Sequence, residues 1–343
     1  MAARLRRSLV SSNLGEFELI RRFFIRDQRL QRAPGVLLGI GDDAALLELP
    51  KGSDLVAAVD TIVAGRHFLE DSDARSIGHR ALAVNLSDIA AMGAIPLWAT
   101  LTLTLPSADP DWLEKFAAGF LELADVYGVV LVGGDTTQGP LTVSVQILGH
   151  VPHGTALRRS GAQAGDLLAV SGTLGDAAAG LAFLKAAPPR ASSRAVDELI
   201  RRFDFAEPRV QFGACARGIA TAAMDLSDGL VGDLPKLAQA SGLAARVEVE
   251  RLPLSAAMRS AVSSSQALEW ALSGGDDYEL LLAVPAARFT ELKAAADRLN
   301  LTLTTIGELS VGTGVTWSLD GKVFQPRGSG FDHFAQASTQ ITV

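Results

Sequence analysis

The chain has 343 residues, with 31 Lys+Arg against 38 Asp+Glu and a formal net charge of −7. That length suggests about two domains, and 48% hydrophobic with 20% charged residues supports a sizeable core and argues against disorder. The acidic balance argues against broad nucleic-acid or anionic-membrane binding, no run approaches a membrane span, and the lone Cys215 excludes an intrachain disulfide and fits a reducing, cytoplasmic setting.

Residues 1–14 read as an N-terminal extension. Arg4, Arg6 and Arg7 with nearby serines would suit a short targeting peptide, but no continuous apolar stretch accompanies them. From Gly15 to Arg29, Phe17, Ile20, Phe23 and Phe24 recur at helical spacing, and Arg21, Arg22 and Arg26 between them read as a solvated face. Val36–Ile40 runs into Gly41, Asp42 and Asp43, and Leu55–Val59 runs into Asp60. Both read as buried strands ending in carboxylates.

Ser76–Met92 reads as a helix that carries Asn85, Ser87 and Asp88 in an otherwise apolar stretch, closed by Gly93 and Pro96. Leu97–Leu105 alternates, with Thr100, Thr102 and Thr104 on one face of a half-buried strand. Asp109 is placed to cap a helix with Pro110 at its first position, and Gly128 to stop it. Val129–Val132, before Gly133, Gly134 and Asp135, is a third strand ending in an acid, and Leu141–Val151 is another strand. Pro152–Ala164 has linker character. The division is therefore an N-terminal domain over 15–151 and a C-terminal domain over 152–343. In the second, Gly172–Asp176 leads into an Ala-rich helix, and Leu280–Val284 is a strand preceded by Ser273–Glu279.

Apolar segments flanked by glycine and aspartate occur at Asp42/Asp43, Asp60, Asp135, Asp225/Asp228 and Asp276/Asp277. Any one of these acids, taken alone, is a cap or turn residue. Five together on apolar segments suggest convergence, because ligand sites in α/β proteins gather where loops meet at strand ends. Converging carboxylates repel unless cations neutralise them. Few His and one Cys leave zinc or copper poorly supported, whereas Mg²⁺ takes carboxylates, water and phosphate together. The echo of Asn85–Asp88 in Asp225–Asp228 is either chance or an acidic corner offered by each domain to a shared cleft. The P-loop, protein-kinase and nucleophile-elbow motifs are absent, so the residues suggest a Mg²⁺-dependent phosphoryl transferase outside those classes.

Read in order, Gly15–Phe17, GIGDDAAL (39–46), VDTIVAGRHF (59–68), NLSDIAAMGA (85–94), GGDTTQGP (133–140), RSGAQAGD (159–166), DLSDGL (225–230), SGGDDYEL (273–280) and GFDHF (330–334) resemble the thiamine-monophosphate kinases, of the aminoimidazole ribonucleotide synthetase-like superfamily. The resemblance implies a mixed α/β, two-domain fold whose N-terminal sheet pairs across a homodimer. It implies ATP-dependent phosphorylation of thiamine monophosphate to thiamine diphosphate, assisted by several Mg²⁺ ions. By that likeness Asp43, Asp60, Asp88, Asp135, Asp225 and Asp228 are metal ligands. Gly134, Asp135, Arg159, Ser227 and Tyr127 contact ATP. His67, Asp276 and Phe331 face the thiamine substrate.

The chain departs from the family pattern at Ala58–Val59, where Ser/Thr are common, and at Asp276, where Glu is frequent. Selenophosphate synthetase would need a reactive N-terminal Cys or selenocysteine, and the hydrogenase-maturation relative ends in cysteine. The alternatives that stay open are aminoimidazole ribonucleotide synthetase itself and a non-catalytic nucleotide- or metal-binding protein.

Overall fold

A computed structural model describes residues 15–25, 34–186 and 193–331. The extension at 1–14, Arg26–Arg29 of the expected first helix, and Asp332–Phe334 of the last motif lie outside the described residues. Helix α1 (Glu16–Leu19) continues into a π-helical turn, Ile20–Phe24, that buries Leu19, Phe23 and Phe24.

Strand β1 (Val36–Leu38) pairs with β2 (Leu46–Leu47) in a small antiparallel hairpin. The buried strand expected over Val36–Asp43 is thus only three residues long, and Leu37 and Leu38 are exposed. The apolar run here covers the rim of a neighbouring sheet: Val36 packs with Trp98 and Val132.

That sheet has the order β3 (Ser53–Val63), β6 (Thr142–Pro152), β4 (Ile95–Leu105), β5 (Val130–Gln138). Strand β6 runs antiparallel to both its neighbours, and β5 lies parallel to β4. Its alternation puts Val56, Ile62, Leu101, Leu103, Val143, Val145 and Ile147 on a core face, while Leu55, Val59, Thr61, Thr102 and Gln146 stay exposed on the other. Strand β3 is therefore an edge strand with one open face and not a fully buried one. Asp60 and Asp135 lie inside long strands, not at their ends, because β3 runs on to Val63 and β5 to Gln138.

Helices α2 (Ala74–Ala91) and α3 (Pro110–Tyr127) cover the core face. Asp73 caps α2 by accepting from the Arg75 N–H, and Asp109 caps α3 ahead of Pro110. Gly128 ends α3 in the left-handed region at φ 68°. Helix α2 is buried almost all round. Helix α3 packs on one side of it, and α6 (Val210–Ala216) and β8 (Ala222–Leu226) pack on another. This is why its sequence is nearly devoid of a polar face.

The second sheet has seven strands in the order β13 (Lys322–Phe324), β12 (Val315–Leu319), β9 (Leu243–Glu248), β11 (Leu303–Val311), β7 (Asp166–Ser171), β10 (Glu279–Pro285), β8. All neighbours are antiparallel except β12 and β9. Around it lie α4 (Asp176–Lys185), α5 (Arg194–Asp204), α7 (Leu230–Ala240), α8 (Ala256–Ala261), α9 (Ser264–Ser273) and α10 (Phe289–Arg298). One face, with Leu168, Val170, Met224 and Leu281, packs on α7 and its surroundings. The other, with Ala169, Ala223, Leu280 and Leu282, joins the core of the first sheet's helices. The two halves thus share apolar packing through α2. Among the described residues no helix is long and apolar enough to cross a membrane.

Candidate functional site

Helix α2 brings Asn85, Ser87 and Asp88 to the seam between the two sheets. Asn85 Oδ1 accepts the backbone N–H of Asp60 at 3.0 Å, which ties β3 to the helix. Ser87 Oγ donates to Asp225 Oδ2 of β8 at 2.8 Å. Asp60 sits on the core face of its sheet, where α2 and β8 approach. Three of the expected carboxylates, Asp60, Asp88 and Asp225, are therefore gathered from three elements of both halves.

Their electrostatics record the crowding. Burial, followed by the charges of Asp225 and Asp60, pushes Asp88 up to about 7, and Arg159 partly opposes this. Burial raises Asp225 to about 6 although the Ser87 hydroxyl pulls it down; Asp233 and Asp60 push in the same direction as burial. Burial also raises Asp60. Asp88, Asp225 and the exposed Arg159 line a cavity of about 560 Å³. Ala58 and Val59 line it too, without a side-chain oxygen to offer.

Asp43, Gly134 and Asp135 line a different cavity, of about 1120 Å³, between the first helix, the 40–45 turn and β5. The register explains the separation. Asp60, Val145, Leu101 and Gly134 form one row across the four strands, and Thr61, Ser144, Thr102 and Asp135 form the next. Adjacent rows project to opposite faces, so Asp60 and Asp135 lie on opposite sides of the sheet, three strand spacings or roughly 14 Å apart. The six expected metal ligands do not meet at one point within a single chain. Gly134 is required where it stands, since a Cβ there would run into the Leu101 carbonyl oxygen.

Asp228 is engaged differently again. Lys236 Nζ lies 2.7 Å from its Oδ2 and 2.9 Å from Asp233 Oδ1. Buried Asp233 accepts the backbone N–H groups of Ser227 and Asp228 at 3.0 and 2.9 Å, fixing that turn. Ser227 O in turn accepts the N–H of Asp276, and Asp228 O accepts the N–H of Phe331. Ser227, Asp228, Asp276 and half-exposed Phe331 thus form one neighbourhood. Asp277, beside Asp276, instead accepts the Gly175 and Ala177 N–H groups at the start of α4. Asp42 likewise accepts the N–H of Asp43 as a turn cap.

His67 closes the end of β3: its Nδ1 accepts the Val63 N–H at 3.0 Å, which leaves the ring proton on Nε2. Tyr127 stands apart from both cavities. Its hydroxyl donates to the Pro208 carbonyl, joining α3 to the second half.

Asn85, Ser87, Asp233 and Lys236 are the participants that motif reading left unassigned. Ser87 and Asn85 could have been found, because polar side chains inside an apolar helix must have partners. Lys236 carried no signal of its own.

As a donor set, the Asp60–Asp88–Asp225 cluster is all oxygen, anionic and self-repelling, which suits a hard divalent cation. Among the described residues no group of three or more His, Cys, Asp or Glu side chains is placed to hold a metal ion by itself. Ions held here would complete their shells with water and phosphate oxygens, as Mg²⁺ does.

Comparisons with known proteins agree with this architecture. The pattern of AIR synthase related protein, N-terminal domain, matches residues 41–151, and that of the C-terminal domain matches residues 163–319. The chain is 47% identical over 324 residues to the thiamine-monophosphate kinase of Salmonella typhimurium, covering 94% of this chain and 98% of that one. It is similar to the crystal structure of thiamine-monophosphate kinase from Stenotrophomonas maltophilia K279a, with TM-score 0.83 and 45% identity over 91% of this chain and 98% of that one. It is also similar to the structure of AaThiL complexed with AMPPCP and TMP, with TM-score 0.74 and 33% identity over 94% and 97% of the two chains.

Proposed function

The chain belongs to the thiamine-monophosphate kinase family, and on that premise we propose that it transfers the γ-phosphate of ATP to thiamine monophosphate, giving thiamine diphosphate and ADP. The observation that carries the reading is the Asp60–Asp88–Asp225 cluster, drawn from both halves of the chain and tied by the Ser87 hydroxyl.

Mg²⁺ held at this cluster would supply positive charge to offset that of the approaching phosphates. The chain's own groups do the positioning, which is most of what phosphoryl transfer requires of a protein. Asp60, Asp88 and Asp225 would hold the cation as ionised carboxylates, which Asp88, raised to about 7, is only in part at neutral pH without it. Arg159, exposed at the cavity rim, forks onto phosphate oxygens. Gly134, Asp135 and Ser227 contact the nucleotide, with Asp43 in the same cavity as the first two. His67, Asp276 and Phe331 orient the thiamine moiety. Transfer is direct and in line, without a phospho-enzyme.

The reading also takes the chain as two domains, 15–151 and 152–343, in a cytoplasmic homodimer. Support for the dimer is the open face of the first sheet, where Leu55 and Val59 are 53% and 63% exposed. Asp135 lies in a row that projects to this same face.

The test is incubation with ATP, Mg²⁺ and thiamine monophosphate, followed by chromatography. Thiamine diphosphate should appear and should fail to appear with EDTA. ATP binding without ADP release would point to a non-catalytic binder. ADP formed only with another acceptor would point elsewhere in the superfamily. A labelled protein trapped after brief exposure to γ-labelled ATP would overturn direct transfer.

A further inference from the structure

We propose that Arg80 is a positioning residue for the acceptor: it grips the Asp276 carboxylate across the seam and thereby sets how tightly thiamine monophosphate is held. The inference rests on the reading of Asp276 as an acceptor-facing residue.

Arg80 lies on α2 and is 2% exposed. A guanidinium so deep in an apolar helix must find partners, because an unpaired buried charge is costly. It finds them in the other half of the chain. Nη1 donates to the Phe203 carbonyl at the end of α5 at 2.7 Å, and Nη2 lies 2.6 Å from Asp276 Oδ1. The guanidinium carbon sits 4.5 Å from the centre of the Phe203 ring, within cation–π range. Nε is buried with no hydrogen-bond partner among the described residues. The guanidinium thus joins the end of α5 to the 274–278 segment through its two terminal nitrogens.

Asp276 bears the marks of a residue held for a purpose. It occupies the left-handed region at φ 71°, unfavourable for a residue with a Cβ, and Tyr278 does the same at φ 50°. The loop is pinned by two backbone bonds to the opposite site segment, Asp276 N–H to Ser227 O and Tyr278 N–H to Leu226 O, both 2.9 Å. Oδ1 takes Arg80 and also the Tyr278 hydroxyl, at 3.1 Å. Oδ2 takes no side-chain or backbone donor among the described residues, and the side chain is 30% exposed.

The carboxylate is therefore clamped by one oxygen and free at the other. Arg80 pairs with the clamped oxygen from a buried position. Asp276 is thereby kept as a directed hydrogen-bond acceptor, apart from the Asp60–Asp88–Asp225 cluster. Thiamine monophosphate offers such a carboxylate an exocyclic amine and a cationic ring. The paired oxygen fixes direction, and the free one does the recognising.

Arg80→Gln, Arg80→Lys, Asp276→Asn, Tyr278→Phe and the Arg80→Gln/Asp276→Asn double variant test this in the full-length protein. Arg80→Gln should raise KM for thiamine monophosphate, and its calorimetric Kd, about tenfold, while KM for ATP stays within about twofold. Arg80→Lys should recover part of the loss, and Tyr278→Phe should cost about threefold, even if Arg80→Gln folds poorly. The double variant should bind the acceptor no more weakly than the worse single variant, because both changes remove one coupled unit. Amide exchange over 274–278 should rise in ligand-free Arg80→Gln. Unchanged acceptor affinity in Arg80→Gln and Tyr278→Phe, equal loss of ATP and acceptor affinity, or additive single effects would each overturn the proposal. Wild-type protein that makes no thiamine diphosphate would refute the functional reading instead. In that event unchanged exchange over 274–278 would still sink the clamp.

Discussion

Ser87 on α2 and Asp225 on β8 share a hydrogen bond of 2.8 Å that joins the two halves of the chain at the carboxylate cluster. Because the hydroxyl donates to the ionised form, it holds the Asp225 pKa below where burial would put it. Its contribution is present when Asp225 is charged and is lost as pH falls through about 6. Ser87→Ala should therefore cost about 1.5–3 kcal/mol at pH 8, the range for a bond to a charged group, and much less at pH 5. Urea denaturation at the two pH values reads the difference. An equal loss at both would contradict it.

Asp88, raised like Asp225 itself, has the sign opposite to that of the Ser87 bond. Its folded pKa of about 7 stands above the usual 3.8, so its contribution to stability is full below 3.8 and is lost as pH rises through about 7. Metal-free protein should melt lower at pH 8 than at pH 5. Asp88→Asn should flatten that dependence and stabilise the EDTA-treated protein at pH 8 by on the order of 1–2 kcal/mol, a value reduced for the group's partial exposure. Mg²⁺ should raise the melting temperature of the native sequence more than that of the variant.

Lys236 already supplies a positive charge to Asp228 and Asp233. Asp228→Asn should consequently disturb the Mg²⁺ dependence of turnover less than Asp88→Asn does. Lys236→Met should destabilise the protein by about 1–3 kcal/mol, since it leaves buried Asp233 with its two N–H donors but no cation. A Mg²⁺ titration of activity and a denaturation curve separate the two effects. A larger Mg²⁺ shift in Asp228→Asn than in Asp88→Asn would show that the ammonium does not hold that position.

Gly275 has no room for a side chain, because a Cβ would collide with the Ser227 carbonyl oxygen. That oxygen also receives the Asp276 N–H, so the displacement would move both site segments. Gly275→Ala should lower kcat/KM at least about tenfold and cost more than about 1 kcal/mol in stability. Gly39→Ala is the control, since the added methyl would meet only Val36 Cγ1 at an ordinary 3.6 Å. Similar behaviour of the two variants would reject the steric account.

The open face of the first sheet carries Leu55 and Val59 on an edge strand. Leu55→Glu with Val59→Glu should leave the fold intact and shift sedimentation from dimer to monomer, because a charge desolvated at an apolar interface is costly. A native protein that already sediments as a monomer would remove the basis for the dimer.

Local rules wrote much of this architecture into the sequence. Asp109, Pro110 and Gly128 bounded α3 because capping and backbone conformation depend on residues within a turn of each other. The alternation of Leu97–Leu105 declared a strand with one wet face for the same reason. The ordered motifs marked the family and named the acidic segments. Short-range patterns did less well where burial depends on a distant neighbour. The 36–43 run looked like a core strand, yet it is a short hairpin resting on Trp98, and Asp60 and Asp135 proved to be strand-interior.

Tertiary structure alone decided which acids meet. The family resemblance supplied six candidate carboxylates as though equivalent. Sheet register sent Asp60 and Asp135 to opposite faces, since one step along a strand reverses the side-chain direction. Long-range packing gave Lys236 to Asp228, Arg80 to Asp276 and Ser87 to Asp225, pairings separated by 8, 196 and 138 positions in the chain. A charge's role depends on what lies within a few ångströms of it, and that distance is set by the folded path, not by position along the sequence.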